Sequence, residues 1–392
     1  MKEELHKKTR AFLCLDCGKC TAICPISRVN QGYSPRRLLT KALTGSNENL
    51  LSDKTIWTCL TCMQCQEKCP SDIDYIQFTR LIRFDAKGDG QEAACSHGGV
   101  LQSLMKIMTA PELKQNRLGW ITPDLKTSEK SEYLYFVGCT PYFDVFFADI
   151  KANSLESARS TLKILNFLGI EPQVLPNERC CGHDLLWMGD LENFKRLAEH
   201  NLKLIKESGA KKIVTSCAEG LATLKVDYPE MFGAQDYEVL HISELIAESI
   251  SDNASKLKKL GKKVTYQDPC RLGRFCGIFD APRQVIEACG AELVEMRKNR
   301  RNAICCGTSS WANCDAYSRM IQANRLKEAK DTGAEVLITA CPKCQIHFSC
   351  TQNAEGYPEE NKIEIVDLTK LFAQAITWSL SETDKTDRKG EE

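Results

Sequence analysis

The chain lacks the marks of several large protein classes, and each absence narrows what it can be. Its 52 Lys and Arg are balanced by 52 Asp and Glu, and no long basic run offers a face for phosphates. Nucleic acid is therefore not an expected partner. The N-terminus, MKEELHKKTR, carries no apolar core of the signal-peptide kind, and no window approaches the roughly 18 uninterrupted apolar residues of a membrane span. A cytoplasmic chain with no span of its own is the expectation. There is no Gly-x-Gly-x-x-Gly, no Walker sequence and no evident flavin motif, so no nucleotide site is expected. What the chain holds in excess is cysteine, 22 in 392 residues. A chain this long has room for two or three cores. In a reducing compartment so many thiols are not disulfides, and because most fall in tight groups they point to metal.

Cys14, Cys17, Cys20 and Cys24, followed by Pro25, form one group, and Cys59, Cys62, Cys65 and Cys69, followed by Pro70, repeat its spacing. Each is the bacterial ferredoxin run, in which three thiolates hold one cube and the fourth reaches the neighbouring one. The spacing predicts two cubane 4Fe-4S clusters with crossed ligands, Cys14, Cys17, Cys20 and Cys69 on one and Cys59, Cys62, Cys65 and Cys24 on the other. Zinc would favour two separated pairs. Between the runs, Ser34 and Pro35 start a helix over RRLLTKAL that Gly45 stops, and Ser52 signals a second start. A linker of this kind resembles the helical ferredoxin domain of succinate dehydrogenase iron–sulfur subunits and of the small subunit of heterodisulfide reductases. The resemblance covers roughly residues 10–85, within a first domain taken as 1–88, and 89–130 reads as a partly helical connector.

Beyond residue 130 the chain repeats itself. EYLYFVGC ending at Cys139 matches KVTYQDPC ending at Cys270; RCCG at 179–182 matches ICCG at 304–307; SGAKKIVTSC ending at Cys217 matches TGAEVLITAC ending at Cys341; EVLHISELIAE matches EIVDLTKLFAQ. Four ordered matches define two homologous halves, 131–254 and 255–379, with a charged tail over 380–392 expected to be disordered. Each half reads strand, helix, strand, helix, strand. The expected fold is α/β with parallel sheets, duplicated, behind an α-helical N-terminal domain. Cys139, Cys217, Cys270 and Cys341 stand just past apolar strands, where open parallel sheets bind ligands. Gly182 and Gly307 are read as glycine so that backbone can approach an inorganic cluster. The second half supplies five thiols, Cys270, Cys305, Cys306, Cys341 and Cys344; the first supplies Cys139, Cys180, Cys181 and Cys217, with Gly220 where the fifth should be.

With these motifs the sequence resembles the cysteine-rich CCG-domain proteins, and in particular heterodisulfide reductase subunits in which a ferredoxin part is fused to two CCG domains. The resemblance implies a non-cubane 4Fe-4S cluster on Cys270, Cys305, Cys306, Cys341 and Cys344, which is also the candidate catalytic site. For the first half it leaves either a four-cysteine cluster or none. The implied function is that of an iron–sulfur electron-transfer subunit, either carrying the disulfide-reducing site or acting as a pure relay in a flavoprotein dehydrogenase or benzoyl-CoA reductase type of complex. Its partners would be subunits carrying flavin or iron–sulfur clusters. Among other residues, His183 reads chiefly as a hydrogen-bonding neighbour of the first site with ligation as the alternative, and Lys343, Arg271 and Arg274 make the second site cationic. Asp280, Pro282 and Arg283 read as a helix start with an ion pair; Cys95, Cys276, Cys289, Cys314 and Cys350 as buried thiols; and Trp57, Trp187 and Trp311 as packing.

Overall fold

A computed structural model describes residues 2–45, 50–94 and 96–377. Cys95 and the tail from 380 lie outside the described residues.

The N-terminal region is helical. A short helix over Lys19–Ile23 lies within the first cysteine run and carries Cys20, Pro25–Val29 follows the run, and Pro35–Thr44 comes next. Ser34 caps this last helix by accepting from the Arg37 amide at 3.2 Å, Pro35 occupies its first turn, and Gly45 ends it, as its sequence predicts. The start expected at Ser52 forms one residue later, as a 3-10 turn over Lys54–Thr58. There the Asp53 carboxylate accepts the Thr55 amide at 2.9 Å and displaces serine as the cap. The long helix Tyr75–Gly88 buries Phe78, Ile82 and Ala86 on one stripe. Arg83 on that helix is fully buried and donates to the carbonyls of Ile56 (3.1 Å), Trp57 (3.0 Å), Cys59 (2.7 Å) and Trp187 (2.8 Å). Because a buried carbonyl without a donor is costly, this one guanidinium fixes the second cysteine run against the first CCG half.

Each half of the remainder carries a parallel sheet, so the chain is α/β behind its helical start. The first contains β1 (Tyr133–Tyr135), β2 (Lys212–Thr215) and β3 (Glu238–His241) in spatial order β1-β2-β3. The second contains β4 (Lys263–Gln267), β5 (Glu292–Leu293), β6 (Val336–Thr339) and β7 (Glu364–Asp367) in order β5-β4-β6-β7. In register, Leu134 faces Ile213 and Tyr266 faces Ile338. The strand expected over EPQVLP shrinks to a single bridge, Gln173 to Leu134. Pro172 and Pro176 flank it and cannot donate to a ladder, whereas the matching AELVEM has no proline and pairs as β5.

The halves pack reciprocally. The last helix of the first half, Ile242–Asn253, lies on Ala281–Ala288, the first long helix of the second; Leu368–Ala375, the last helix of the second half, lies on Ser154–Phe167 of the first. A duplicated pair packed in this exchanged way has a pseudo-two-fold axis, and the same ends of both sheets face each other across it.

Candidate iron–sulfur sites

The N-terminal thiols fall into two groups. One cavity is lined by Cys14, Cys17, Cys20 and Cys69 together, with Cys65 also on its wall. Cys24 lies instead within electrostatic reach of Cys62 and Cys59, and Cys65 within reach of Cys59, Cys62 and Cys24. The fourth cysteine of each run thus sits with the first three of the other. Burial, with Cys62 and Cys59 adding to it, pushes the Cys24 thiol up to about 12. Thiols this crowded and desolvated ionise only beside cations, and soft sulfur sets of four or five suit iron–sulfur clusters. The donor sets therefore fit the clusters that the spacing predicts.

In the two halves the strand ends do what the pattern predicts. Cys217 follows β2 and Cys341 follows β6 by two residues, and Cys139 and Cys270 follow β1 and β4 by a short turn. In the second half the sulfurs run in contact from Cys270 to Cys305, Cys306, Cys344 and Cys341. All five thiols therefore converge. Contacts to Cys305 and Cys344 pull the Cys306 thiol down to about 6, and the His347 ring, whose own protonation burial depresses to about 4, faces it with Nδ1 at 3.4 Å. In the first half Cys139, Cys180 and Cys181 touch in sequence. Cys217 touches Cys341, its own counterpart, across the pseudo-axis.

Gly220 is surrounded loosely. A Cβ there would meet Cys217 Cβ and Thr215 Oγ1 at 3.5 Å, ordinary contact distance. Gly182 and Gly307 are glycine for a different reason from the one expected. Both hold positive φ, +85° and +83°, and a Cβ would meet the Phe194 ring at 2.7 Å in one and the Ser318 carbonyl at 2.9 Å in the other. Left-handed backbone and the helix that packs behind the turn impose the glycine, not the side that faces the thiols.

Several of the charged residues near these thiols are spent on one another. Lys343 is paired with Asp184 and, at 2.5 Å, with Glu219. Glu219 and Lys343 occupy the same place in the repeat, two residues past Cys217 and Cys341, so the pseudo-axis passes through an ion pair made by equivalent positions of opposite charge. His183 Nδ1 lies 3.0 Å from Asp184 and 3.3 Å from Glu219, and its Nε2 accepts from Arg271 Nε at 3.0 Å. Both ring nitrogens are engaged, so His183 stands here as a hydrogen-bonding neighbour of these charged side chains. Arg271 is held between the Trp187 ring at 4.2 Å and the Phe275 ring at 3.9 Å, so Trp187 is a cation–π platform and more than packing. Arg283 pairs with Asp268 at 2.8 Å and Glu295 at 2.5 Å, while Asp280 serves Arg300.

Two contributors, Thr61 and Glu178, carry no sequence signal of their own, and Arg274, expected only as a nearby cation, has a specific tie. Thr61 Oγ1 bridges Arg271 and Ser309, both at 2.8 Å. Arg274 donates to the Cys62 carbonyl at 2.6 Å and to Ala303 at 2.7 Å, tying the second cysteine run to the loop before Cys305. Buried Glu178 accepts from the Gly138 amide at 2.7 Å and from Arg117 at 2.6 Å, fixing the turn that presents Cys139. Glu219 was discoverable, because laying CAEG over CPKC sets Glu against Lys.

Comparison with known proteins finds the same order of domains. The 4Fe-4S dicluster domain matches residues 10–73, and the cysteine-rich CCG domain matches twice, at 133–225 and 264–349. A hypothetical protein from Helicobacter pylori has the same fold, with a TM-score of 0.54 at 14% identity over 97% of this chain and 73% of that one. The EtfAB:quinone oxidoreductase of Syntrophomonas wolfei is 26% identical over 94% of this chain and 58% of its own length. One of the subunits of the dihydromethanophenazine:CoB–CoM heterodisulfide reductase of Methanosarcina barkeri is 30% identical over 94% of both chains. No described helix is long and apolar enough to cross a membrane. With two ferredoxin runs, two CCG halves and a match along almost its whole length, the chain belongs to the same family as that heterodisulfide reductase subunit.

Proposed function

We propose that this chain is the iron–sulfur subunit of a heterodisulfide reductase-like complex and that its second CCG half carries the thiol- and disulfide-reducing site. Cys14, Cys17, Cys20 and Cys69 would hold one cubane, Cys59, Cys62, Cys65 and Cys24 another, and Cys270, Cys305, Cys306, Cys341 and Cys344 a non-cubane cluster. Such clusters supply one-electron transfer. Electrons reach the chain from a partner subunit bearing flavin or iron–sulfur clusters. The observation that carries this reading is the junction at Cys62, which lies within electrostatic reach of Cys270 and Cys305. The protein closes that junction with its own groups. Arg274 and Thr61 clamp the second cysteine run to the five-thiol site through buried hydrogen bonds, and Lys343, tied to Asp184 and Glu219, holds the Cys341–Cys344 turn in place.

One observation favours a pure relay. Cys305, Cys306, Cys341 and Cys344 are only 1%, 7%, 3% and 4% exposed, and Trp311, stacked on Phe147 at 5.2 Å, lies over Lys343 and against His347. A bulky disulfide reaches such thiols only if Trp311 moves. The experiment that separates the readings adds the thiol halves of the CoB–CoM heterodisulfide to the anaerobically prepared, oxidised chain and records EPR spectra. A thiol-dependent signal in the parent that disappears in Cys344→Gly supports the reductase site. No such signal in a parent with full iron content leaves the relay.

A further inference from the structure

We propose that Trp311 is a gate over the five-thiol site, latched shut by Ser96 and Gln102 of the connector, which swings aside to admit an organic disulfide or the thiols made from it. The inference rests on reading the second CCG half as the disulfide-reducing site. Three contacts lead from solvent to a thiol by way of this ring. The exposed His97 ring meets the indole edge-on at 6.0 Å, the indole meets the His347 ring at 5.0 Å, and His347 Nδ1 lies 3.4 Å from Cys306 Sγ. Trp311 is thus the layer between an exposed side chain and the neighbour of a thiol.

The surroundings of the ring are able to part. Trp311 packs with Phe143, Phe147 and Ala152 of the first half, Ile346 of the second and Leu101 of the connector helix Val100–Ile107, in a small apolar cluster set apart from the main core. Because three separate segments supply it, the cluster can open without unpacking either sheet. The segments that meet at the ring are both strained. Ser310 and Trp311 hold φ of 53° and 56°, and His97 and Gly98 hold 54° and 62°. A non-glycine residue stays in this left-handed region only while the contacts around it hold it there. Those contacts are few. The Ser96 amide donates to the Trp311 carbonyl at 2.8 Å and the Ser96 hydroxyl donates to the same oxygen, while Gln102 Nε2 donates to the carbonyls of Ser310 at 3.2 Å and Trp311 at 3.4 Å. Gln102 Oε1 is buried with no hydrogen-bond partner among the described residues, and so is His347 Nε2 beneath the indole. An unpaired buried polar atom is costly, and a polar group of the incoming molecule would relieve His347 once the indole leaves. Lys343, 5.0 Å from the ring, has Asp184 and Glu219 as partners and does not depend on it.

A gate that is mostly shut weakens binding in proportion to the time it is closed, so loosening it must tighten binding. The test uses the full chain, reconstituted anaerobically and oxidised, and titrates it with the thiol halves of the CoB–CoM heterodisulfide, reading the concentration that gives half of the thiol-dependent EPR signal. Gln102→Leu removes the latch donor and Trp311→Ala removes the ring, and each should lower that concentration by about fivefold. Trp311→Phe, which keeps a ring against Phe147, should stay near the parent. Iron content and the full signal amplitude should not change, and if Trp311→Ala loses iron, Gln102→Leu decides alone. A half-saturation that is unchanged or raised in the iron-loaded variants overturns the gate, because damage to the fold can weaken binding but not tighten it. A fully loaded parent with no thiol-dependent signal refutes the reductase reading itself and the gate with it, an outcome distinct from a signal that the variants fail to sharpen.

Discussion

The two CCG halves share an element order and a pseudo-axis, yet they diverge at the two residues that matter most to their sites. Position 220 is glycine where position 344 is cysteine, and position 219 is acidic where position 343 is basic. The second half gathers five touching thiols; the first gathers three, and its fourth, Cys217, leans on Cys341 instead. Glu219 and Asp184 come from the first half to neutralise Lys343 of the second. In this arrangement the first half lends charge to the second half's site and brings one thiol against it. The two halves are held together by helices that pack reciprocally, independently of their thiol sets.

The largest test of that asymmetry exchanges the fifth position. Cys344→Gly should remove about four iron atoms per chain from the second site, and iron analysis with Mössbauer spectroscopy will show whether it does. Gly220→Cys should be tolerated within about 1 kcal/mol, because its Cβ meets only ordinary contacts at 3.5 Å. It should bring the first site's spectrum closer to that of the second. An unchanged spectrum in both variants would mean that the fifth thiol is not what separates the halves.

Next comes the axial ion pair. Lys343→Met leaves Asp184 and Glu219 buried with their main cation gone, which should cost about 3–5 kcal/mol in urea unfolding of the holoprotein. The additional change Glu219→Gln should recover part of the loss, since one orphaned charge is removed. If Lys343→Met unfolds like the parent, the halves are not locked through this pair.

The smallest effect concerns two equivalent helix caps. His241 accepts the Ser243 amide at 3.2 Å, and Asp367 accepts the Thr369 amide at 2.9 Å. Burial drives their pKa values in opposite directions, His241 down to about 4 and Asp367 up to about 6. For His241 the unfolded chain binds the extra proton, so its contribution is full above about 6.5 and is lost as pH falls toward 4. For Asp367 the folded chain binds it, so the contribution is full below about 3.8 and is lost as pH rises through 6. The two slopes oppose each other between pH 5 and 6. His241→Asn should make stability fall with rising pH across that window, Asp367→Asn should make it rise, and the parent should stay nearly flat in urea midpoints.

Much of this was legible along the chain. The ferredoxin spacing forces three sulfurs toward one centre, and the four matches near offset 125 imply a duplicated α/β fold, because apolar strand runs ending in cysteine read the same in both copies. The helix signalled by Ser34, Pro35 and Gly45 formed because capping is local chemistry. Ser52 lost its expected role to its neighbour Asp53, a competition between two adequate caps that spacing does not rank. EPQVLP looked extended and is, but two prolines deny it a ladder. The reason for Gly182 and Gly307 lay in Phe194 and Ser318, side chains and backbone that only folding brings behind those turns.

The sequence alone thus determined the kinds of ligand, their local spacing and the class of fold, because these depend on contacts within a few residues or on a pattern that repeats. Only the tertiary structure decided which thiols meet across the pseudo-axis, that Lys343 is spent on Asp184 and Glu219, that both nitrogens of His183 are engaged, and that Cys62 rests near Cys270. Each of these joins groups from separate segments. Such pairings are fixed by how helices and sheets pack into a shared core, and no spacing along the chain encodes them.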